Sequence, residues 1–153
     1  LRFPDGTALI QMAAIEDAHR NGTQWAVEWL RERWPKTAAV VIDAQSPAMS
    51  LLSELQKAHV RVTITSMAEM GRAYGRFQDM LNDGQLKHLP DDAQPQLAAA
   101  VRGAITRNLG ASGALAWNKL GADVDISPLV ACTLALYGAF TSKRVPGRKQ
   151  RVG

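Results

Sequence analysis

Two successive segments, each an apolar strand followed by a capped helix, constrain the fold of this chain more than any other feature. Residues 38–43 (AAVVID) are apolar until the final aspartate, which is typical of a central strand covered on both sides. Ser46 and Pro47 then predict an N-cap with a proline in the first helical turn. Residues 60–64 (VRVTI) predict the next strand, and Ser66 precedes the next helix. This order implies parallel strands and an α/β fold.

Turn and cap signals also predict elements before the first of these strands and a helix after the second. Residues 4–6 (PDG) predict a hairpin turn that leads into a strand over about residues 7–19. Thr23 predicts the N-cap of a helix. Ser66 and Glu69 predict a capping box, and the helix behind it is expected to have one apolar face: Met67, Met70, Tyr74, Phe77 and Leu81.

Further elements are predicted in the second half of the chain. A helix with Ile105 on its apolar face is expected to run to about Arg107. Residues 114–117 predict a short strand or hairpin arm. The serine–proline pair at residues 127–128 repeats the cap-and-proline pattern. It opens a helix over residues 129–140 that is apolar nearly all round, so we expect this helix to be buried.

Composition limits the class of protein. With 153 residues, 46% hydrophobic and 21% charged, the chain is expected to form one soluble domain with one core. Cys132 is the single cysteine, which excludes an internal disulfide, and its apolar neighbours predict a buried thiol. No signal peptide or membrane span is evident, which predicts a cytoplasmic protein. The start at Leu1, without a methionine, suggests a piece of a larger protein.

The positive charge is concentrated at the end of the chain. Residues 143–153 contain five basic residues and no acidic one, and removing those five from the 18 basic residues leaves 13 against 14 acidic ones. Residues 1–142 are therefore interpreted as the folded domain and residues 143–153 as a basic flexible tail. Such a tail either contacts phosphates by counterion release or is only a solvated terminus.

Three aspartates are candidate functional carboxylates, one at the end of a strand and two before the last helix. Asp43 ends the apolar strand, beyond which such sheets bind their ligands, although it could equally accept hydrogen bonds from the turn at residues 44–46. Asp125, with Asp123 two residues before it, precedes the last helix, where a favourable interaction with the helix macrodipole is the alternative explanation. Carboxylates so placed can converge on divalent cations, as two-metal phosphodiester cleavage requires.

Other catalytic motifs are missing from the sequence. The histidines His19, His59 and His88 match no zinc-binding spacing. There is no G-x-x-x-x-G-K-[ST] phosphate loop and no G-x-S-x-G nucleophile motif. These absences disfavour a zinc enzyme, a nucleotide-driven motor and a serine hydrolase.

Several strings, taken in order, resemble one family. Residues 40–47 (VVIDAQSP), residues 84–89 (GQLKHL), Trp117 and residues 125–135 (DISPLVACTLA) resemble the C-terminal nuclease domain of large terminase subunits from tailed phages and prophages. The resemblance covers about residues 5–142. It implies an RNase H-like fold, with a mixed sheet flanked by helices, and an acidic site that binds Mg²⁺ or Mn²⁺ as a two-metal centre.

The resemblance also implies roles for individual residues. In that family one carboxylate comes from the first strand, a second from the strand after the first helix and a third from the start of the last helix. Asp43 matches the second and Asp125 the third, with Asp123 as an alternative or auxiliary ligand. The first-strand carboxylate is expected upstream of Leu1, so this chain is expected to lack a ligand. The second strand offers Glu16 or Asp17 near the site.

The activity that the resemblance implies is cleavage of concatemeric double-stranded DNA during genome packaging in the bacterial cytoplasm. Its partners would be DNA, the terminase ATPase domain, the portal and the small terminase subunit. Charge and loop placement suggest phosphate contacts by Lys87, His88, Arg107 and Lys119. Two alternatives stay open: another RNase H-like nuclease of the resolvase type, or a non-catalytic DNA-binding or packaging-interaction module.

Overall fold

The computed structural model describes residues 1–13, 22–111 and 113–147, and this part of the chain is a mixed α/β protein. Its helices are α1 (Gln24–Arg33), α2 (Leu52–Lys57), α3 (Met67–Asn82), α4 (Pro95–Gly103) and α5 (Ser127–Thr141). Its strands are β1 (Ala8–Ile10), β2 (Val40–Asp43), β3 (Val62–Thr65), β4 (Leu86–His88), β5 (Thr106–Leu109) and β6 (Ala114–Trp117). Glu16 and Asp17, together with most of the strand predicted over residues 7–19, lie outside the described residues.

The predicted strand–helix–strand unit is present, and its strands are parallel as expected. β2 pairs with β3, ending with Asp43 opposite Thr65. Ser46 caps the turn after β2, because its Oγ accepts a 3.2 Å hydrogen bond from the Ala48 N–H. Leu55 on α2 is fully buried in a cluster with apolar side chains from α1 and β2. This unit therefore carries Asp43 to the carboxyl edge of two parallel strands.

The remaining strands add one parallel and one antiparallel pair. β1 pairs in parallel with β4, and β5 forms an antiparallel hairpin with β6, which confirms the strand predicted at residues 114–117. The predicted turn at residues 4–6 is also present, since the Phe3 N–H donates to the Thr7 carbonyl at 2.9 Å. Within the described ranges the strands form three separate pairs rather than one continuous sheet.

The capping box on α3 is confirmed, but its apolar face differs at both ends from the predicted one. Ser66 and Glu69 each accept a hydrogen bond from the other's backbone N–H. The middle of the helix is buried, whereas Met67 and Leu81 are 49% and 47% exposed. Leu81 lies about 100° around the helix from Met80, which takes the buried position instead.

The helix predicted to reach Arg107 is shorter than expected, so this prediction is wrong at its end. α4 ends at Gly103, and the next residue, Ala104, is already extended with ψ 135°. Ile105 is 43% exposed, and Arg107 lies on β5. A Cβ at Gly103 would lie 2.2 Å from a methyl group of Val124, so the segment before α5 packs directly on the end of α4. The chain leaves the helix there and enters the β5–β6 hairpin.

α5 is buried along most of its length, as its sequence predicts. Leu129, Cys132 and Leu136 are each at most 5% exposed. Although α5 is strongly apolar, neither it nor any other helix in the described ranges is long and apolar enough to cross a membrane. Gly138 faces β2 so closely that a Cβ there would lie 2.5 Å from Val41 Cγ2. The missing side chain lets α5 support β2 directly.

Gly138→Ala is expected to lower the free energy of unfolding by about 1–3 kcal/mol, because the added methyl group overlaps Val41 in a packed core. Gly75→Ala on α3 is the matched control. A Cβ at Gly75 meets nothing within 4 Å, and alanine in place of glycine favours a helix by about 1 kcal/mol. Urea denaturation measures both changes, and equal stability of the two variants would contradict the close contact between α5 and β2.

Candidate active site around Asp43

Asp43 is a buried carboxylate at the end of β2. It is 6% exposed, and its Oδ1 accepts a 3.2 Å hydrogen bond from the Gln45 N–H, as in the turn arrangement that its position predicted. The facing residue on β3, Thr65, is fully buried and donates its hydroxyl to the Ile42 carbonyl at 3.4 Å. Both strand ends are thus held in place around a carboxylate that has little contact with water.

The second oxygen of Asp43 is paired with Lys119. The Lys119 Nζ lies 2.5 Å from Asp43 Oδ2, and the side chains are 34% and 8% exposed respectively. A charge-assisted hydrogen bond of this kind offsets the cost of burying a carboxylate. Lys119, predicted as a phosphate contact, is the counter-charge of Asp43 in this structure.

Asp43 and Lys119 face a small cavity together with Arg107. Both polar and apolar side chains line the cavity: Asp43, Gln45, Met67, Met70, Arg107, Ala116, Trp117 and Lys119. Arg107 is on β5, directly opposite Ala116 of β6 in the hairpin register. Two of the four predicted phosphate contacts are therefore brought to Asp43, which places two positive side chains around one negative one.

Trp117 fixes β6, the strand that precedes Lys119. Its indole N–H donates a 2.9 Å hydrogen bond to the Thr133 hydroxyl on α5, and its ring meets Tyr74 edge-on at 4.8 Å. Thr133 is fully buried and in turn donates to the Leu129 carbonyl at 2.8 Å. β6 is thereby held between α3 and α5, two residues before Lys119.

The structure places Asp123 and Asp125 away from this cavity. Neither residue is among those that line it, and both are exposed. Asp125 Oδ1 accepts a 2.9 Å hydrogen bond from the Ser127 N–H at the start of α5. Ser127, predicted as the cap, is instead the first residue of the helix, which follows Ile126 at the cap position. The helix-terminus explanation of Asp125 is thus the one that its contact supports.

Lys87 and His88 also lie apart from Asp43. Both are exposed on β4, which pairs with β1. His88 Nδ1 is 2.7 Å from the Leu89 carbonyl, and Lys87 Nζ is 6.0 Å from the centre of the Phe3 ring. Neither lines the cavity, so the four predicted phosphate contacts do not form one surface around Asp43.

Asp43 is the one carboxylate among the residues that line the cavity. Gln45 also lines the cavity, and Mg²⁺ commonly takes one or two carboxylates and completes its shell with water and phosphate. The ammonium of Lys119 against Oδ2 shows that a positive charge is accommodated there. Across residues 1–13, 22–111 and 113–147, no three His, Cys, Asp or Glu side chains are grouped as a metal site. Two metal ions would need further carboxylates.

Residues 143–147 follow α5 and contact the region after α1. The Arg144 guanidinium lies 4.0 Å from the centre of the Trp34 ring and donates to the Thr37 carbonyl. The Gly147 N–H donates to the Pro35 carbonyl at 3.2 Å. The rest of the basic tail, residues 148–153, lies outside the described residues.

A second cavity lies between β1 and α5 and has a different character. It is lined mainly by apolar side chains, including Leu9, Ile10 and Leu136, and by Cys132. Burial raises the pKa of the Cys132 thiol to about 11, so Cys132 is protonated at neutral pH and is a poor nucleophile. Cys132 is a core residue, as its sequence context predicts.

Comparison with known proteins adds no relative. No protein-family model matches the chain, and no curated protein or solved structure is significantly similar to it.

The stability of the protein is expected to fall as pH rises from about 9 to about 11, because the unfolded chain then loses the Cys132 proton while the folded chain keeps it. Cys132→Ala removes this contribution, so its loss of stability over the same window should be smaller by about 2 kcal/mol. Urea denaturation at pH 8, 9, 10 and 11 measures the difference between the two proteins. An identical pH dependence would show that the thiol is not buried as described.

Proposed function

We propose that this chain is a divalent-metal-dependent endodeoxyribonuclease domain of the kind found in large terminase subunits. One observation carries the proposal: a buried carboxylate, Asp43, ends a strand of a parallel pair and faces a cavity together with Arg107 and Lys119. Carboxylates at this edge of an α/β sheet are placed to act on bound ligands. The family and the RNase H-like fold, in which the strand pairs would belong to one mixed sheet, rest on the sequence resemblance.

The charges around the cavity suit a phosphodiester substrate. Arg107 presents a guanidinium group, whose planar fork matches two phosphate oxygens. Lys119 adds a second positive charge at the rim, where its side chain is 34% exposed. Met70, Ala116 and Trp117 add apolar side chains to the lining of the cavity. A nucleic-acid backbone is therefore the substrate class that we propose for this cavity.

In the proposed mechanism, Asp43 is the carboxylate from this part of the chain that holds Mg²⁺ or Mn²⁺. When bound, such a metal supplies an activated water and stabilises the leaving oxygen of the phosphodiester. Arg107 orients the phosphate, and the Gln45 N–H keeps the Asp43 carboxylate in a fixed rotamer through Oδ1. Asp125 and Asp123 are proposed as the further ligands on the resemblance alone, as is the two-metal centre.

The biological setting is proposed on the same basis. The domain would cut concatemeric double-stranded DNA in the cytoplasm of a bacterial host. Its partners would be the terminase ATPase domain, the portal and the small terminase subunit. Another RNase H-like nuclease, of the resolvase type, would share Asp43 but not these partners.

A non-catalytic DNA-binding module is the second candidate function, and the Lys119–Asp43 ion pair favours it. Both oxygens of Asp43 are already engaged, so in a binding module the pair would serve only to join the segment after β6 to β2. DNA affinity would then come from Arg107 and the basic tail, and it would be unaffected by Mn²⁺.

Cleavage of supercoiled plasmid in Mn²⁺, Mg²⁺ or EDTA distinguishes the two functions. Metal-dependent cutting is expected, and Asp43→Asn should reduce its rate by at least about 100-fold, since removal of a direct ligand costs at least as much as loss of a supporting group. Asp125→Asn should also reduce it if Asp125 is a ligand. Asp79→Asn, which changes an exposed aspartate of α3, is the control and should cut like the wild type.

A form extended upstream by the strand that the resemblance implies should be assayed beside the chain itself. If neither form cuts, or if cutting survives Asp43→Asn, the nuclease proposal fails. The binding module then becomes the better account of the same cavity.

A further inference from the structure

Each oxygen of Asp43 already accepts one hydrogen bond. Oδ1 is engaged by the Gln45 N–H at 3.2 Å and Oδ2 by the Lys119 ammonium at 2.5 Å. A cation that binds Oδ2 would therefore lie close to the Lys119 ammonium and be repelled by it. Because the carboxylate is buried, it needs one positive charge or the other beside it.

The segment that carries Lys119 is held beside the cavity on one side and meets solvent on the other. The Asn118 N–H donates to the Ile105 carbonyl at 2.8 Å, and the Asn118 side chain accepts from the Gly121 N–H at 3.1 Å. Leu120, which follows Lys119, is fully exposed. Solvent therefore lies next to the Lys119 backbone, and the long lysine stem can move its ammonium toward water without a change in β6.

Lys119 can leave Asp43 only if another positive charge takes its place beside the carboxylate. Arg107 also lines the cavity, but no ion pair joins it to Asp43 in the described structure. If Lys119 moved away alone, Asp43 would be buried without a partner, which is strongly unfavourable. Replacement by a divalent cation removes that penalty and leaves Lys119 free at the rim.

We propose that Lys119 is an exchangeable counter-ion that occupies the cation position at Asp43 Oδ2 and competes with the divalent metal for it. This inference rests on the proposed function, because it takes Asp43 as a metal ligand. It makes Lys119 a positioning residue that regulates metal loading. Metal binding would also release a lysine ammonium beside Arg107, where a DNA phosphate would be held.

Titration of the chain with Mn²⁺ at constant pH, followed by electron paramagnetic resonance of the free ion, tests this competition. Lys119→Met should bind Mn²⁺ about tenfold more tightly than the wild type, because only the wild type must break a charge-assisted hydrogen bond to load the metal. Lys119→Arg keeps the positive charge and should bind no more tightly than the wild type. The double variant Asp43→Asn/Lys119→Met should lose the gain.

Lys57→Met is the matched control. Lys57 also lies 2.7 Å from a carboxylate, that of Glu54, but the two side chains are 70% and 47% exposed. Removing this pair should leave Mn²⁺ affinity unchanged. Thermal unfolding gives a second measurement: Mn²⁺ should raise the Tm of Lys119→Met more than that of the wild type, since the metal restores a lost counter-charge.

The outcomes separate the inference from the proposed function. If Mn²⁺ binding depends on Asp43 but is equally strong in the wild type and Lys119→Met, with equal shifts in Tm, the competition is disproved and Asp43 stays a metal ligand. If Asp43→Asn leaves Mn²⁺ binding unchanged both in the wild type and in Lys119→Met, Asp43 is no ligand. The proposed function then fails together with the inference.

Discussion

The burial of one carboxylate at the end of β2 is the constraint on which the rest of this structure depends. Asp43 is 6% exposed, so a positive charge must reach it, and Lys119 does so from a segment 76 residues further along the chain. The position of Lys119 depends on β6, the strand before it, and Trp117 fixes β6 to α5. α5 in turn rests on β2 through Gly138. The packing of α5 and β6 in the core therefore positions the charge that neutralises Asp43.

The local signals in the sequence predicted the elements that carry the site. The cap at Ser46, the capping box of Ser66 with Glu69 and the apolar run of β2 each depend on neighbours within a few residues, so they were predictable. The parallel pairing of β2 with β3 followed from the strand–helix–strand order. The position of Asp43 at the sheet edge, and its turn contact with Gln45, could be predicted for the same reason.

The features that depend on distant residues could not be predicted. No signal near Lys119 indicates that it pairs with Asp43, because only the folded chain brings the two together. α4 ends at Gly103 because Val124 packs there and β5 pairs with β6, whereas helical periodicity alone extended the helix to Arg107. Asp125 matched a ligand position by order along the chain, yet its carboxylate accepts a hydrogen bond from the Ser127 N–H at the start of α5.

Paramagnetic broadening by Mn²⁺ in proton–nitrogen NMR spectra tests the central claim, that Asp43 holds a divalent metal, most directly. Trp117 lines the Asp43 cavity, whereas Trp25 and Trp29 on α1 do not. Substoichiometric Mn²⁺ should broaden the Trp117 indole signal before those of Trp25 and Trp29, and Asp43→Asn should abolish this selectivity. Broadening that spares Trp117, or that persists unchanged in Asp43→Asn, would contradict the account.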